Sequence, residues 1–141
     1  MANDLVAAAE WLKGLPFVDP ARIGITGGSY GGYVTCMAMT YGADQFTHGI
    51  AHFSVTDWRL YDSIYTERYM DSPAENPEGY EFASVMTHAE RYRGRMLITH
   101  GTLDDNVHMQ NTIQLIDKLQ DLGKDFELML YPNARHGFGS K

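Results

Sequence analysis

Several features that would point to particular classes of protein are scarce or missing in this chain. It has one cysteine, Cys36, which cannot form a disulfide within the chain and is expected to pack in the core. No apolar run approaches the roughly 18 residues of a membrane-spanning helix. The first residues are polar and acidic rather than signal-like. Acidic residues outnumber basic ones, 18 against 11, and the net charge of −7 argues against binding of nucleic acid.

The overall composition of the chain is that of a soluble globular domain. Of the 141 residues, 44% are hydrophobic and 21% are charged. These values fit one domain with a core of its own and argue against disorder. They leave the compartment of the protein unknown.

Helical and strand-like segments alternate along the chain. Amphipathic helices are predicted at residues 4–13 and 109–122, and a further helix at 32–41. Short apolar runs predict four strands, at residues 22–26, 49–55, 95–100 and 126–131. Residues 71–79 contain two prolines and are predicted as loop. Strands joined by helices predict an α/β fold with a parallel sheet and right-handed crossovers.

A G-x-S-x-G motif lies between the first predicted strand and the helix that follows it. Gly27, Ser29 and Gly31 form the motif. A strand, this turn and a helix are together typical of a nucleophile elbow, in which a strained turn lifts the serine hydroxyl above the sheet. Small residues two positions before and two after the serine are expected because the strand and the helix approach closely there, and Gly27 and Gly31 meet that need. Ser29 is therefore a candidate nucleophile.

An acid and a histidine follow later strands. Asp104 and Asp105 lie in the loop after the third strand, and His136 follows the fourth. The carboxyl ends of parallel strands share one edge of the sheet, so these side chains could converge with Ser29. The order serine, acid, histidine is that of α/β-hydrolase triads. The residues alone leave open which aspartate is the acid, since either could be a turn former.

The three residue types have separate tasks in nucleophilic catalysis. A serine hydroxyl becomes a good nucleophile when a neighbouring base takes its proton. His136 would be that base and would return the proton to the leaving group, while Asp104 would orient the imidazole. The backbone N–H of Tyr30 would donate to the oxyanion, and one such donor is worth about 3–4 kcal/mol of barrier.

The loop after the third strand also permits a metal-site interpretation. His100, Asp104, Asp105 and His108 are suitable ligand types, but their positions follow no ligand spacing. No metal and no other cofactor is therefore expected. His100 is interpreted as a residue that packs or hydrogen-bonds at the end of its strand.

Four stretches carry a more specific pattern. They are GGSYGG at 27–32, DWRLYDSIYTERY at 57–69, HGTLDDNVH at 100–108 and HGF at 136–138. With these stretches the chain resembles the prolyl oligopeptidase family of serine peptidases (S9), and in particular its dipeptidyl peptidase IV-like branch. The resemblance runs from residue 3 to residue 138. It implies the C-terminal half of an α/β-hydrolase fold, with helices flanking a parallel sheet.

The resemblance also implies roles for individual residues. Ser29 would be the nucleophile, Asp104 the acid and His136 the base. The implied substrate-binding residues are Val55, Trp58, Tyr61, Tyr65 and Val107 around a pocket for a proline ring, and Asn106 at a carbonyl of the substrate. A flat aromatic pocket suits a pyrrolidine ring, which is compact and apolar. Without the resemblance, the i, i+4 spacing of Tyr61 and Tyr65 favours a plain buried helical face, and the resemblance shifts the interpretation to pocket-lining residues.

The function that follows from the resemblance is that of a serine-type peptidase domain. It would hydrolyse a peptide that carries proline near its N-terminus and release Xaa-Pro dipeptides. Another S9 oligopeptidase, an acylaminoacyl peptidase and a general esterase on the same fold are the alternatives. Gly28 departs from the dipeptidyl peptidase IV branch, which usually carries tryptophan before the serine, and this loosens the assignment to that branch.

The resemblance finds no counterpart here for the family's propeller or for its early hydrolase strands. Residues 1–141 are therefore expected to be a partial hydrolase domain, weakly active or inactive alone. The strand at 22–26 would then be an exposed edge of the sheet. Exposed edges pair readily with other chains, so the chain is expected to self-associate or to fold weakly.

Overall fold

The computed structural model describes residues 2–138 and shows four strands with helices between them. The strands are β1 (Gly24–Gly28), β2 (His48–His52), β3 (Arg95–Gly101) and β4 (Glu127–Tyr131). The helices are α1 (Ala2–Lys13), α2 (Tyr30–Thr40), α3 (Ser63–Met70), α4 (Pro77–Ala83), α5 (Val85–His88) and α6 (Gln110–Asp121). Short 3₁₀ turns occupy Trp58–Leu60 and Ala89–Arg91. Within this described range, no helix combines the length and the apolar character needed to cross a membrane.

The strands form one parallel sheet in the order β1-β2-β3-β4. Gly28 lies opposite His52, and His52 lies opposite Thr99 on the next strand. Gly101 lies opposite Tyr131. The predicted α/β fold with a parallel sheet is confirmed. Because every strand runs in the same direction, the loops that follow them are neighbours at one edge of the sheet.

Helix α2 packs against β1 and β2 and supplies much of the core. Eight of its 11 residues are buried, and Cys36 is among them, as predicted. A Cβ added at Gly49 on β2 would lie 2.6 Å from the side chain of Met39. Packing this close holds α2 firmly on the sheet, and it therefore also holds the turn that joins α2 to β1.

Several segment ends differ from the sequence-based predictions. Strand β1 ends at Gly28 rather than at residue 26, and β2 ends at His52 rather than at 55. The loop predicted over residues 71–79 is wrong in its last part, because α4 begins at Pro77. Proline is favourable at the first position of a helix, where its missing N–H would have no acceptor within the helix. The side chain of Asn76 caps this helix by accepting the N–H of Gly79 at 3.1 Å.

Candidate active site

Ser29 lies in a strained turn between β1 and α2. Its backbone has φ 57° and ψ −118°, a conformation that is unfavourable for a residue with a side chain. The N–H of Ser29 donates to the carbonyl of His52 at 3.0 Å, and its carbonyl accepts the N–H of Tyr33 at 3.0 Å. These two backbone contacts hold the turn in the conformation that the G-x-S-x-G motif predicts.

Close contacts at this turn leave no room for a Cβ at Gly27 or at Gly32. A Cβ at Gly27 would lie 2.5 Å from the carbonyl oxygen of Gly31. A Cβ at Gly31 would meet nothing within 4 Å, so another small residue would fit there as well as glycine. The second constraint falls instead on Gly32, where a Cβ would lie 2.2 Å from Oγ of Ser54. The contact between Gly27 and Gly31 is the approach of strand and helix that the motif predicts, whereas the constraint at Gly32 comes from the end of β2 and the loop after it.

Ser29, His136 and Asp104 form one chain of hydrogen bonds. Nε2 of His136 is 2.9 Å from Oγ of Ser29, and Nδ1 of His136 is 2.8 Å from Oδ2 of Asp104. A carboxylate can only accept, so Nδ1 donates to it and Nε2 of the neutral ring accepts the serine hydroxyl. A general base that removes the serine proton needs this tautomer. The fold thus brings together three side chains from three different loops.

Asp104, and not Asp105, is the carboxylate at the histidine. The side chain of Asp104 is fully buried, and its Oδ1 accepts the N–H groups of Asn106 and Val107, each at 3.0 Å. Asp105 is exposed and pairs with Arg135 instead. The sequence left open which of the two aspartates is the candidate acid. Only Asp104 points inward from the turn, so the geometry favours Asp104.

His100 lies behind Asp104 with no exposed surface. Its Nε2 donates to the carbonyl of Val107 at 2.8 Å and lies 3.3 Å from Oδ2 of Asp104. Its Nδ1 accepts the hydroxyl of Thr112 on α6 at 2.8 Å. Burial lowers the pKa of this imidazole, so the ring is neutral at pH 7. His100 therefore ties the loop of the acid to α6, which agrees with its interpretation as a hydrogen-bonding residue at the strand end.

Tyr30 is the first residue of α2, directly after Ser29. The N–H groups in the first turn of a helix point out of its N-terminal end, where the helix dipole is positive. The backbone of Tyr30 is therefore oriented as the predicted oxyanion donor needs to be. Its ring packs between Tyr33 and Trp58, with centroid distances of 5.9 and 5.8 Å.

A small cavity beside Ser29 is surrounded by aromatic side chains. Trp58 stacks on Tyr65, with ring centroids 6.0 Å apart and planes 24° from parallel. Trp58 also meets Tyr61 edge-on at 6.0 Å. The cavity has a volume of about 130 Å³, and we call it the aromatic slot. Its lining consists of Ser29, Tyr30, Val55, Trp58, Tyr61 and Tyr65.

The other predicted substrate-binding residues lie next to the slot rather than in its lining. Asn106 accepts the hydroxyl of Tyr61 at 2.6 Å through its side-chain oxygen. Val107 has no exposed surface, and its N–H is bonded to Asp104. Tyr61 precedes α3, while Tyr65 lies within it. The two tyrosines therefore do not share the plain helical face that their spacing also allowed.

A second aromatic group, which sequence reasoning missed, contacts His136 from another direction. Phe53 follows β2 with a positive φ of 36°, and its ring centroid is 4.7 Å from that of His136. Phe138 packs against Phe53 at 5.6 Å, Tyr131 at 5.4 Å and His52 at 4.8 Å. We call these four residues, Phe53, Phe138, Tyr131 and His52, the phenylalanine wall. Phe138 belongs to the HGF stretch, but no local motif marks the other three, and the group comes from separate parts of the chain.

A hydroxyl, an imidazole and a carboxylate linked in this way, at the carboxyl edge of a parallel sheet, are typical of serine hydrolases with the α/β-hydrolase fold. The model of the prolyl oligopeptidase family, Peptidase_S9, matches residues 1–141. The chain belongs to this family of serine peptidases.

Relatives with similar sequences and structures carry dipeptidyl peptidase names. The chain is 49% identical over 141 residues to the "probable dipeptidyl-aminopeptidase B" of Talaromyces stipitatus and 47% identical over 139 residues to dipeptidyl-aminopeptidase B of Aspergillus niger. Each match covers 96% of this chain and 15% of the relative. Dipeptidyl peptidase 4 of Porphyromonas gingivalis is similar in structure, with a TM-score of 0.97 and 44% identity, over 99% of this chain and 20% of that one. The chain thus spans about 15% of the length of the curated relatives that it matches.

Proposed function

We propose that this chain carries the catalytic triad and the proline pocket of a serine peptidase that releases Xaa-Pro dipeptides from peptide N-termini. The observation that carries the proposal is the hydrogen-bonded series Ser29–His136–Asp104 next to the aromatic slot. Within this series, Nε2 of His136 is close enough to take the proton of Ser29, and Asp104 is close enough to orient the imidazole, which supports the proposal. The names of the relatives add support for the dipeptidyl specificity.

The proposed reaction has two halves, which share one base. In the first, the oxygen of Ser29 bonds to the substrate carbonyl carbon while Nε2 of His136 takes the hydroxyl proton. The carbon–nitrogen bond then breaks, and His136 gives that proton to the leaving nitrogen. In the second half, water attacks the acyl carbon, His136 takes its proton, and the proton returns to Ser29 as the acid departs. Asp104 holds the imidazole in one tautomer throughout.

The aromatic slot accounts for the preference for proline. Its walls are ring faces and an aliphatic side chain, so it offers a pyrrolidine ring dispersion and apolar burial on several sides. The hydroxyl of Tyr61 is already bonded to Asn106 and does not need a partner from the substrate. A polar or charged side chain would lose hydration among these rings, which is unfavourable unless new hydrogen bonds replace it.

Labelling with a fluorophosphonate probe, followed by mass spectrometry, tests the nucleophile. We expect the probe on Ser29 and no labelling of a Ser29→Ala variant, and we expect the natural polypeptide that carries this sequence to hydrolyse Xaa-Pro amides in preference to simple p-nitrophenyl esters. Labelling of another residue in a folded chain would contradict the assignment of Ser29. Labelled Ser29 with faster turnover of esters than of Xaa-Pro amides would instead favour a general esterase.

We also propose that the chain associates with itself through β1. Among the described residues, β1 has a strand on one side only, and its outer side presents backbone N–H and carbonyl groups. Thr26 lies exposed at the middle of this edge. Sedimentation velocity should show oligomers for the chain and a shift toward monomer for Thr26→Lys, because a charge at an edge opposes strand pairing. A wild-type chain that sediments as a monomer at all concentrations would rule this out.

A further inference from the structure

Ser29 lies between two different aromatic surfaces, and its two sequence neighbours belong to opposite ones. Tyr30, directly after the serine, lines the aromatic slot. Gly28, directly before it, lies under the ring of Phe53, because a Cβ at Gly28 would be 2.7 Å from an edge carbon of that ring. Phe53 is not part of the slot lining. The phenylalanine wall therefore adjoins the serine at Gly28, whereas the slot adjoins it at Tyr30.

Glycine at position 28 is what allows Phe53 to occupy this place. Any larger residue at that position would displace the ring, since the nearest contacts to an added Cβ, at 2.7 and 2.8 Å, are both atoms of Phe53. Phe53 in turn adopts a positive φ, which is costly for a residue with a side chain. Its ring is half-buried and packs against both His136 and Phe138. Core packing alone does not require an aromatic residue with a strained backbone next to the triad.

The chemistry of the triad determines what this surface meets. The imidazole that takes the proton of Ser29 must deliver it to the leaving nitrogen, so that atom comes within about 3 Å of Nε2 of His136. With the acyl part of the substrate in the slot, the leaving residue extends to the other side of the serine. There the ring centroid of Phe53 is 4.7 Å from that of His136, and half of Phe138 is exposed.

From this geometry, and resting on the proposed function, we infer that the phenylalanine wall is the binding surface for the residue directly after the scissile bond and that it selects an apolar side chain there.

The chemistry of the wall fits this occupant. Phe53 and Phe138 have no ionisable group, Tyr131 adds a further ring, and burial lowers the pKa of His52, which keeps that imidazole neutral at pH 7. Nδ1 of His52 is already engaged by the hydroxyl of Thr99 at 2.8 Å. The surface thus offers ring faces and edges to a leucine or phenylalanine side chain, and little to a glycine, which has no side chain to bury.

The test compares substrates that differ only after the scissile bond. The natural polypeptide that carries this sequence is assayed with Ala-Pro-Leu-Gly and Ala-Pro-Gly-Gly, and kcat/KM is measured for each. We expect the leucine peptide to be preferred and Phe53→Ala to lower that preference about tenfold. Phe53→Leu, which keeps an apolar side chain, should retain part of the preference. Phe82→Ala, which removes an exposed ring packed on Tyr41 and His88, is the matched control and should leave the preference unchanged.

A second ratio separates a specific effect from general damage. Ala-Pro-Leu-Gly against Ala-Ala-Leu-Gly reports on the slot alone, and Phe53→Ala should leave this ratio unchanged. A Phe53→Ala variant that lowers kcat/KM equally for all three peptides would overturn the inference, because the ring would then only support His136. An unchanged leucine preference would overturn it as well.

Failure of the proposed function gives a different result. If the wild-type protein cleaves no Xaa-Pro peptide but hydrolyses esters, the same variants are assayed with benzyl and methyl acetate, whose alcohols replace the leaving residue. If Phe53→Ala loses the preference for benzyl over methyl acetate, the result supports the wall as the surface for the leaving group, without the peptidase assignment. If the preference persists in Phe53→Ala, the inference about the wall is overturned. A folded wild-type protein that hydrolyses neither class of substrate overturns both proposals.

Discussion

The aromatic slot and the phenylalanine wall flank the same serine but are assembled in different ways. Three members of the slot, Trp58, Tyr61 and Tyr65, come from one short segment and pack on one another. The wall joins Phe53, which follows β2, to Phe138, which follows β4. A local segment leaves a recognisable pattern in the sequence, whereas a surface assembled from distant loops leaves none.

The two surfaces also differ in how they are held. Tyr61 bonds to Asn106 in the loop of the acid, so the slot is linked to the triad through hydrogen bonds. The contacts that we find for the rings of Phe53 and Phe138 are with other rings. Hydrogen bonds fix orientation closely, while ring contacts permit small shifts at little cost. We therefore expect the slot to select its occupant more strictly than the wall does.

The largest expected effect comes from a change at Asp104, the carboxylate at His136. Asp104→Asn keeps the size of the side chain but places a donor or a neutral oxygen at Nδ1 of His136, which disturbs the tautomer. We expect kcat to fall about 10⁴-fold, the scale known from the equivalent change in other triads. Both substrate ratios, leucine against glycine and proline against alanine, should stay as in the wild type, because neither surface is altered.

Steady-state kinetics with high enzyme concentration measures the residual rate. Asp105→Asn is the matched control, since Asp105 pairs with Arg135 at the surface. A control that loses as much activity as Asp104→Asn would contradict the assignment of the acid.

The next largest effect is expected at His100, which ties the loop of Asp104 to α6. His100→Leu leaves the carbonyl of Val107 and the hydroxyl of Thr112 buried without their partner. Each such loss costs about 1–3 kcal/mol, so we expect unfolding free energy to fall by about 3 kcal/mol in urea titrations. Retention of full stability would show that the loop does not depend on this residue.

The same variant should also change the dependence of stability on pH. His100 has a lowered pKa in the folded chain, below its ordinary value of 6.5, because burial disfavours the charged ring. Below pH 6.5 the unfolded chain therefore binds a proton that the folded chain does not, and stability falls as the pH drops toward the folded pKa. Leucine has no such proton, so the stability gap between variant and wild type should narrow between pH 7 and pH 5. A gap that stays constant would contradict a neutral His100.

The sequence predicts the fold and the clustering of the triad residues well, because both follow from the order of strands and helices along the chain. Alternating strands and helices determine a parallel sheet, and a parallel sheet places the residues after β1, β3 and β4 at one edge. Ser29, Asp104 and His136 could therefore be expected to lie close together before any coordinate was known. Their roles in catalysis remain proposals that rest on this geometry.

What the sequence could not predict depends on tertiary contact. The close approach at Gly32 arises from Ser54, a residue on a different strand-end loop, so the motif around Ser29 gave no sign of it. The contact of Phe53 with Phe138 has no periodic signature for the same reason. The start of α4 at Pro77 was missed because proline marks helix starts as well as loops, and the choice depends on the cap supplied by Asn76.

A smaller effect than that of His100 tests whether the slot acts separately from the wall. Tyr65→Ala removes the ring that stacks on Trp58, and we expect kcat/KM for Ala-Pro-Leu-Gly to fall about 30-fold. The preference for leucine over glycine after the scissile bond should change by less than about twofold, since Tyr65 is not in contact with the leaving side. Peptide kinetics measures both. A parallel loss of the leucine preference would mean that the two surfaces are one continuous site.

The smallest effect concerns the link between the slot and the loop of the acid. Tyr61→Phe keeps the ring but removes the hydroxyl that donates to Asn106, a contact worth about 1 kcal/mol. We therefore expect kcat/KM for Xaa-Pro peptides to fall about fivefold, with no change in the wall's leucine preference. Tyr69→Phe removes a largely exposed hydroxyl on the neighbouring turn of α3 and is the matched control.

A double-mutant cycle with Asn106→Ala decides how this loss arises. If the hydroxyl acts by holding Asn106, the double variant should be no slower than Asn106→Ala alone, because the interaction is already absent. Additive losses would instead mean that Tyr61 and Asn106 contact the substrate independently. The selectivity of the slot would then come from separate contacts with the substrate. The hydrogen bond between Tyr61 and Asn106 would not explain why the slot selects its occupant more strictly than the wall does.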